Sequence, residues 1–235
     1  MTMLQSKLPH RNRLLARLPE KERRPFIARC DEVDLSLEEV LAEAGKPLAH
    51  AYFPIDCFIS QVTPTEGMSL ELSLVGNEGM FGLPLALGVP ISNVNAIVQG
   101  GGKGLRMSAA EFSRQLEASK QLRKCIGTYT FVTLVQFGQT AACNRFHVVK
   151  ERLARWLLMS SDRAHSSEFT VTHAFLAYML GVRRVGVTVA AGALQADHLI
   201  RYSRGKLTVL DRKGLEAASC ACYRTDLATY KKLFG

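Results

Sequence analysis

The 235-residue sequence has no long hydrophobic run. Its longest apolar stretch, around Met80–Ile91, is broken by glycine and proline and falls well short of the ~18 residues that a membrane-spanning helix needs. The amino end, MTMLQSKLPHRNRLLARLPEKERR, lacks an uninterrupted apolar segment followed by a small-residue cleavage site. No secretory signal is expected there, and the expected compartment is the cytoplasm, with no membrane partner. Cysteine is present but not framed: Cys30, Cys57, Cys125, Cys143, Cys220 and Cys222 are scattered, which suits reduced packing thiols better than a disulfide scaffold. The close pair Cys220 and Cys222 has no second pair at zinc spacing, and His147, His165, His173 and His198 show no paired histidine or glutamate companion. No metal is expected. Catalytic signatures are missing too. QGGGKG at 99–104 lacks the leading glycine of a phosphate loop and has Gly104 where that loop needs Ser or Thr, and no nucleophile elbow occurs, so no enzyme is expected.

Acidic residues are scarce in one part of the chain. Residues 145–235 hold 15 Lys+Arg against 7 Asp+Glu, whereas residues 1–144 hold 15 against 14. Nearly all of the net charge of +9 therefore belongs to the C-terminal part, which points to a polyanionic partner for that part.

Periodicity gives an α+β organisation. Residues 11–44 read as helical, with Ser36 as an N-cap for SLEEVLAEAG. From about Leu48 to Met107 short β-rich runs alternate with turn signals. Met68, Leu70, Leu72 and Leu74 alternate with Ser69, Glu71 and Ser73 as in a half-buried strand. Several strands at this spacing read as a sandwich, jelly roll or barrel. Ser108 and Glu111 form a capping box that restarts helix. The expected domains are 1–119 (a β-roll, sensor-like, with flanking helices), 120–144 (a long helix) and 145–235. In the long helix, Leu122, Cys125, Tyr129, Val132 and Gln136 follow alternating three- and four-residue steps, so they are expected at a dimer seam; Phe131, Leu134 and Val135 make a second apolar face.

Beyond Phe169 the pattern is helix, turn, helix, hairpin. Thr172 can cap HAFLAYML, and Gly181 can end it in the left-handed conformation. RRVGVTVAAGALQADHL restarts the helix, with Val185, Val189, Ala193 and Leu194 expected to face inward. This is the signal of a helix-turn-helix, whose second helix enters the DNA major groove by its first residues. Arg183 and Arg184 stand there, and a guanidinium fork matches guanine O6 and N7 or clamps a phosphate. Thr188 could reach a thymine methyl or a phosphate, His173 a phosphate, and Thr172 beside it is expected among the DNA-contacting residues. Arg204 and Lys206, in the hairpin SRGK, would form a wing against the backbone.

The stretches VTHAFLAYMLGVRR and LQADHLIRYSRGKLTVLD, with VKERLARWLL ahead of them, resemble the winged helix of the Crp/Fnr family of bacterial transcription regulators. The order of the preceding parts agrees over roughly residues 11–215. The resemblance implies an α+β fold with an N-terminal jelly-roll-like β-barrel of the cyclic-nucleotide-binding kind and a C-terminal winged helix-turn-helix, a homodimer built on the helix at 120–144, double-stranded DNA as the target of the helix at 183–194, and RNA polymerase as a further partner. It places the effector pocket at Gly79, Gly82 and Asn95. Family members that bind cyclic AMP carry Glu and Arg in a phosphate cassette. The corresponding GMFGLPLALGVPISNVNAIV has neither, so no cofactor and no cyclic nucleotide are expected. Where the best-known members place a Glu and a second Arg on the recognition helix, this chain has Val185 and Val189; only Arg184 carries over as a base reader. The alternative reading is an effector or redox sensor that acts through protein contacts without binding DNA.

Overall fold

A computed structural model describes residues 12–66 and 68–234. Arg11, where the expected helical stretch begins, and Gly67, in an expected turn, lie outside them. The chain divides into two compact units: residues up to Gln61 with Val75–Phe131, and Val62–Leu74 with Val132 onward.

The N-terminal elements open with a 3-10 turn at Leu15–Arg17 and helix α1 (Glu20–Ile27), followed by strands β1 (Asp31–Leu35), β2 (Val40–Ala42), β3 (His50–Pro54), β4 (Phe58–Thr65) and β5 (Met68–Val75), of which β5 up to Leu74 and the end of β4 count with the second unit. Helix α2 (Leu83–Ala86), β6 (Asn95–Gly100), β7 (Gly102–Ser108), α3 (Ala109–Ala118) and the long α4 (Lys120–Phe146) complete the N-terminal elements. The strands form two sheets, ordered β1-β7-β3 and β2-β6-β4-β5, in a jelly-roll-like arrangement that is not closed into a barrel. Edge-to-face rings fill the space beneath them, with Phe26 to Phe53 at 5.4 Å and Phe53 to Phe112 at 6.1 Å between centroids. Asn12 closes one end: its Nδ2 donates to the carbonyls of Pro54 and Gly79 at 2.9 Å, and its Oδ1 accepts from the Leu15 N–H.

Two expectations are overturned here. Residues 31–42 are strands and turn, not helix. Asp31–Leu35 pairs antiparallel with Gly102–Arg106, Val40 and Ala42 pair with β6, and Glu38 between them has a left-handed φ of 68°. Pairing with distant strands outweighs the local helix propensity of SLEEVLAEAG. In β5 the polar residues Ser69, Glu71 and Ser73 are buried along with Leu74, while Leu70 and Leu72 are half-buried. The Ser69 hydroxyl donates to the Tyr178 carbonyl at 3.0 Å, which satisfies one of these buried polar groups.

The second unit is organised on α5 (Val149–Ala164), buried continuously from Arg152 to Ser161. Around it lie β8 (Glu168–Thr170), α6 (His173–Leu180), α7 (Arg184–Ala196), β9 (Ile200–Ser203), β10 (Lys206–Val209), α8 (Arg212–Ala218) and α9 (Cys222–Phe234). A helix buried on this scale must satisfy its charges internally. Arg155 does so with Asp226 of α9 at 2.7 Å, both side chains below a tenth exposed, and with the Thr140 hydroxyl. Arg212 bonds Asp162, Glu216 and the Tyr223 hydroxyl, and that hydroxyl donates to Asp162 at 2.8 Å, tying α8 and α9 to α5.

Removing one partner of a buried pair leaves the other charge uncompensated. Asp226→Ala is therefore expected to destabilise the C-terminal unit by about 3–5 kcal/mol in urea unfolding. A loss below about 1 kcal/mol, the range of exposed pairs, would mean that water reaches Arg155.

Candidate nucleic-acid interface

The site starts from a short helix with a firm beginning and end. The Thr172 hydroxyl accepts the Phe175 N–H at 3.0 Å and caps α6; Gly181 ends it at φ 60°. Leu176, Ala177, Met179 and Leu180 face the core. The chain bends by 108° before α7, within the range of helix-turn-helix crossings.

Arg183 is the N-cap residue of α7 and Arg184 its first helical residue, and both are exposed. They add two cations to the positive end of the helix dipole, where an anion is favoured. The inward residues of α7 are Val187, Ala190, Ala191 and Leu194. This corrects the expected set: Val185 and Val189 are 67% and 68% exposed, and Ala193 is half-buried. The helix restarts at Arg184 after a non-helical cap, which sets the phase of the periodicity so that 187, 190, 191 and 194 form the stripe. The outward face thus carries Arg184, Val185, Thr188 and Val189 together. Beside it Val149, Lys150, Val185, Gly186, Val189, Ala190 and Ala193 line an open apolar hollow of about 420 Å³.

Thr188 and His173 are engaged with each other. The Thr188 hydroxyl lies 3.1 Å from the Arg184 carbonyl and 3.0 Å from His173 Nδ1. One hydroxyl proton serves the carbonyl, so Nδ1 must carry its own hydrogen and donate to Thr188. Nε2 is buried and finds no hydrogen-bond partner among the described residues. Burial, with the Arg184 cation nearby, holds the imidazole pKa below its usual value, which favours the neutral ring.

The wing is a two-residue hairpin. Arg204 and Gly205 both have positive φ, 49° and 81°, as the tight primed turns between antiparallel strands require. Arg204 is exposed at its tip. Lys206 is paired at 2.7 Å with Glu168 on β8, and this hydrogen bond holds the Glu168 carboxyl below its ordinary range. The wing lysine therefore reaches the surface already shared with a carboxylate. Three contacts that the sequence did not signal fix the wing to the reader. Tyr202 stacks on His173 at 4.5 Å, its hydroxyl donates to the Val171 carbonyl at 2.9 Å, and its N–H donates to Gln195 Oε1 at 2.7 Å.

The remaining expected sites are placed as follows. Gly79 lies against Tyr129, whose hydroxyl would be 2.0 Å from a Cβ added there; Gly82 has φ 111° and lies close to Ala51; Asn95 Oδ1 accepts the Ala44 N–H at 2.9 Å. Of the expected dimer seam, Leu122, Tyr129 and Val132 are buried in the chain itself, Gln136 is half-buried, and the Cys125 thiol, also half-buried, reaches the Leu14 carbonyl at 3.5 Å. That seam is the helix's inner face. The outer apolar residues are Phe131 and Leu134, 56% and 61% exposed. Folding brings three of the scattered thiols together. Cys143 and His147, one helical turn apart, are the second pair that Cys220 and Cys222 lacked, and all four donor atoms lie within 4.8 Å of one another.

Comparison with known proteins agrees with this geometry. Residues 151–218 match the Crp-like helix-turn-helix domain. A search of the curated proteins found no match. Among solved structures the chain is similar to the c-di-GMP responsive global regulator CLP of Xanthomonas campestris, with 17% identity over 82% of this chain and 100% of that one and a TM-score of 0.68. It is similar to FixK2 from Bradyrhizobium japonicum, with 14% identity over 82% and 98% and a TM-score of 0.68. A third is a transcriptional regulator of the CRP/FNR family from Thermus thermophilus, with 23% identity over 80% and 98% and a TM-score of 0.67. Likeness at these identities establishes the fold. No single helix among the described residues is long and apolar enough to cross a membrane.

The His173 ring gives a test of the electrostatics at this face. Its NMR titration midpoint is expected below that of a free histidine, and Arg184→Ala is expected to raise it, because removing a nearby cation makes protonation easier. A midpoint unmoved by that substitution would separate the two groups electrostatically.

Proposed function

We propose that this chain, a DNA-binding transcription regulator of the Crp/Fnr type with a Crp-like helix-turn-helix domain at 151–218, acts as a homodimer on an inverted-repeat operator. The observation that carries the reading is the outward face of α7. Arg183 and Arg184 are exposed at the start of a helix that follows a 108° turn, and the wing stands beside it. Arg184 reads a guanine edge, while Arg183 and Arg204 hold phosphates. Val185 and Val189 present methyl groups on the same face, where thymine methyls are the complementary feature of a base edge. The half-site would thus pair a guanine with neighbouring thymines. Thr172, His173, Thr188 and Lys206 act chiefly by holding α6, α7 and the wing in register, because each is already bonded within the domain.

Support for the homodimer comes from α4. Gly127, Phe131, Leu134, Gly138 and Ala141 are all exposed and follow steps of four and three along one side. Gly127 and Gly138 have open space where a Cβ would stand, which lets a second helix approach closely. A two-fold axis along this row would set two reader helices against half-sites about one DNA turn apart, roughly 34 Å. The roll works without a cyclic nucleotide: residues 79–98 contain no Lys, Arg or Glu to hold a cyclic phosphate and ribose, Gly79 is covered by Tyr129, and Asn95 is spent on the Ala44 N–H.

Selection of duplexes from a random pool, followed by fluorescence anisotropy, tests the DNA reading. Binding should weaken with salt by about one log–log slope unit per phosphate contact. Arg184→Ala should cost about 1–3 kcal/mol on the selected site and little on random DNA. Equal losses on both would make Arg184 a phosphate clamp, and salt-insensitive or absent binding would favour a sensor that works through protein contacts. Leu134→Glu should convert the dimer to monomer in sedimentation velocity; a monomeric parent protein would remove the dimer from the proposal.

A further inference from the structure

Four soft donors converge away from the reader surface. Cys143 and His147 lie one turn apart where α4 ends, with His147 in the short break before α5. Cys220 precedes α9 and Cys222 is its first residue. The three cysteines are buried and the imidazole is half-buried. Cys143 Sγ is 3.5 Å from Cys220 Sγ, and Cys222 Sγ is 3.5 Å from His147 Nδ1. Tetrahedral zinc, with bonds of about 2.3 Å to sulfur and 2.0 Å to nitrogen, separates its ligand atoms by roughly 3.5–3.8 Å. Two of the six edges already have that length, and all four donor atoms lie within 4.8 Å of one another.

We propose that Cys143, His147, Cys220 and Cys222 form a structural zinc site that fastens the end of α4 to the beginning of α9. Three thiolates and one imidazole make a soft donor set that selects zinc over magnesium or calcium. With four protein ligands no coordination position is left for water or substrate, so the site is closed and braces the domain rather than catalysing a reaction. Binding releases the three thiol protons to solvent and leaves a net charge of −1. That charge meets the N-terminus of the 13-residue α9, whose dipole favours it. Gln139, one turn before Cys143 on α4, donates its Nε2 hydrogen to Cys222 Sγ at 2.9 Å and supplies the outer-shell bond that orients a metal-bound thiolate. The site asks nothing of the DNA reading and stands apart from it.

The full-length chain, purified under reducing conditions and reconstituted with zinc, should retain about one zinc per chain after desalting, measured by inductively coupled plasma mass spectrometry. Cobalt(II) in its place should give the intense visible bands of a tetrahedral ion and thiolate charge transfer in the near ultraviolet. His147→Gln and Cys222→Ser should each lower the retained metal at least about tenfold, and Gln139→Leu should weaken binding about 10–100-fold in chelator competition. Cys30→Ser and Cys57→Ser should leave the content unchanged. The parent protein alone keeps the test decisive if a variant fails to fold. A metal content near zero, an octahedral cobalt spectrum, or loss of metal in the Cys30 and Cys57 controls would overturn the site. So would recovery of Cys143 and Cys220 as a disulfide from the freshly purified protein, which would make the cluster a redox pair.

Discussion

The reader's geometry depends on one backbone position, the left-handed turn at Gly181. Its φ of 60° is open to glycine at little cost, and a Cβ there would stand 3.1 Å from Leu70 Cδ1 and 3.3 Å from the Ser69 carbonyl. The turn is held from both sides. The Ser69 hydroxyl donates to the Tyr178 carbonyl, and the buried Arg152 guanidinium donates to the Leu180 carbonyl at the very end of α6. A cation at a helix C-terminus also complements its dipole. With α6 stopped in this way, α7 starts at Arg184 and its phase is fixed. The stripe Val187, Ala190, Ala191, Leu194 then turns inward, which leaves the two arginines and two valines outward.

The same phase decides the chemistry of the outward face. An arginine with two exposed valines is neither a plain phosphate clamp nor a purely polar reader. Valine methyls cannot satisfy a buried donor or acceptor on a base edge, so a sequence that puts an exocyclic amine opposite them leaves that group unpaired. On the proposed reading, discrimination by this helix would come as much from rejection as from attraction. The neutral His173 ring fits this arrangement. Stacked on Tyr202 and bonded to Thr188, it joins wing to helix without adding a charge that would compete with Arg184 for the same phosphate or base.

What the sequence reveals follows the distance over which each feature is decided. The helix-turn-helix is local: the Thr172 cap, the Gly181 stop and the arginine pair lie within a dozen residues, and their pattern is legible. Residues 31–42 are decided by β6 and β7, 54 to 75 residues away, so their helix-favouring composition misleads. The long helix has two apolar faces, and periodicity alone does not say which one the subunit covers; burial of Leu122, Tyr129 and Val132 settles it in favour of the inner face. The wing's attachment through Tyr202 and Gln195 is likewise a product of folding. The cysteine cluster left a signal that a search limited to paired histidines misses. Cys143 and His147 at one-turn spacing, with Cys220 and Cys222 two apart, are two halves of a site separated by 77 residues from Cys143 to Cys220.

That cluster and the arginines of α5 belong to one electrostatic problem. The C-terminal part of the chain is strongly basic, and two of its arginines, Arg152 and Arg155, are buried. A buried guanidinium that cannot shed its proton must be met by anions or acceptors nearby. Asp226 meets Arg155 directly, although burial pushes that carboxyl upward in pKa and so opposes its charge. Ionised sulfurs at Cys143 and Cys220 would also favour the charged form of both arginines. Three thiolates on one divalent ion leave a single lasting negative charge there, whereas three neutral thiols leave none. The metal proposed at this corner would thus keep two cations settled in the core of a domain whose surface carries the rest of its positive charge.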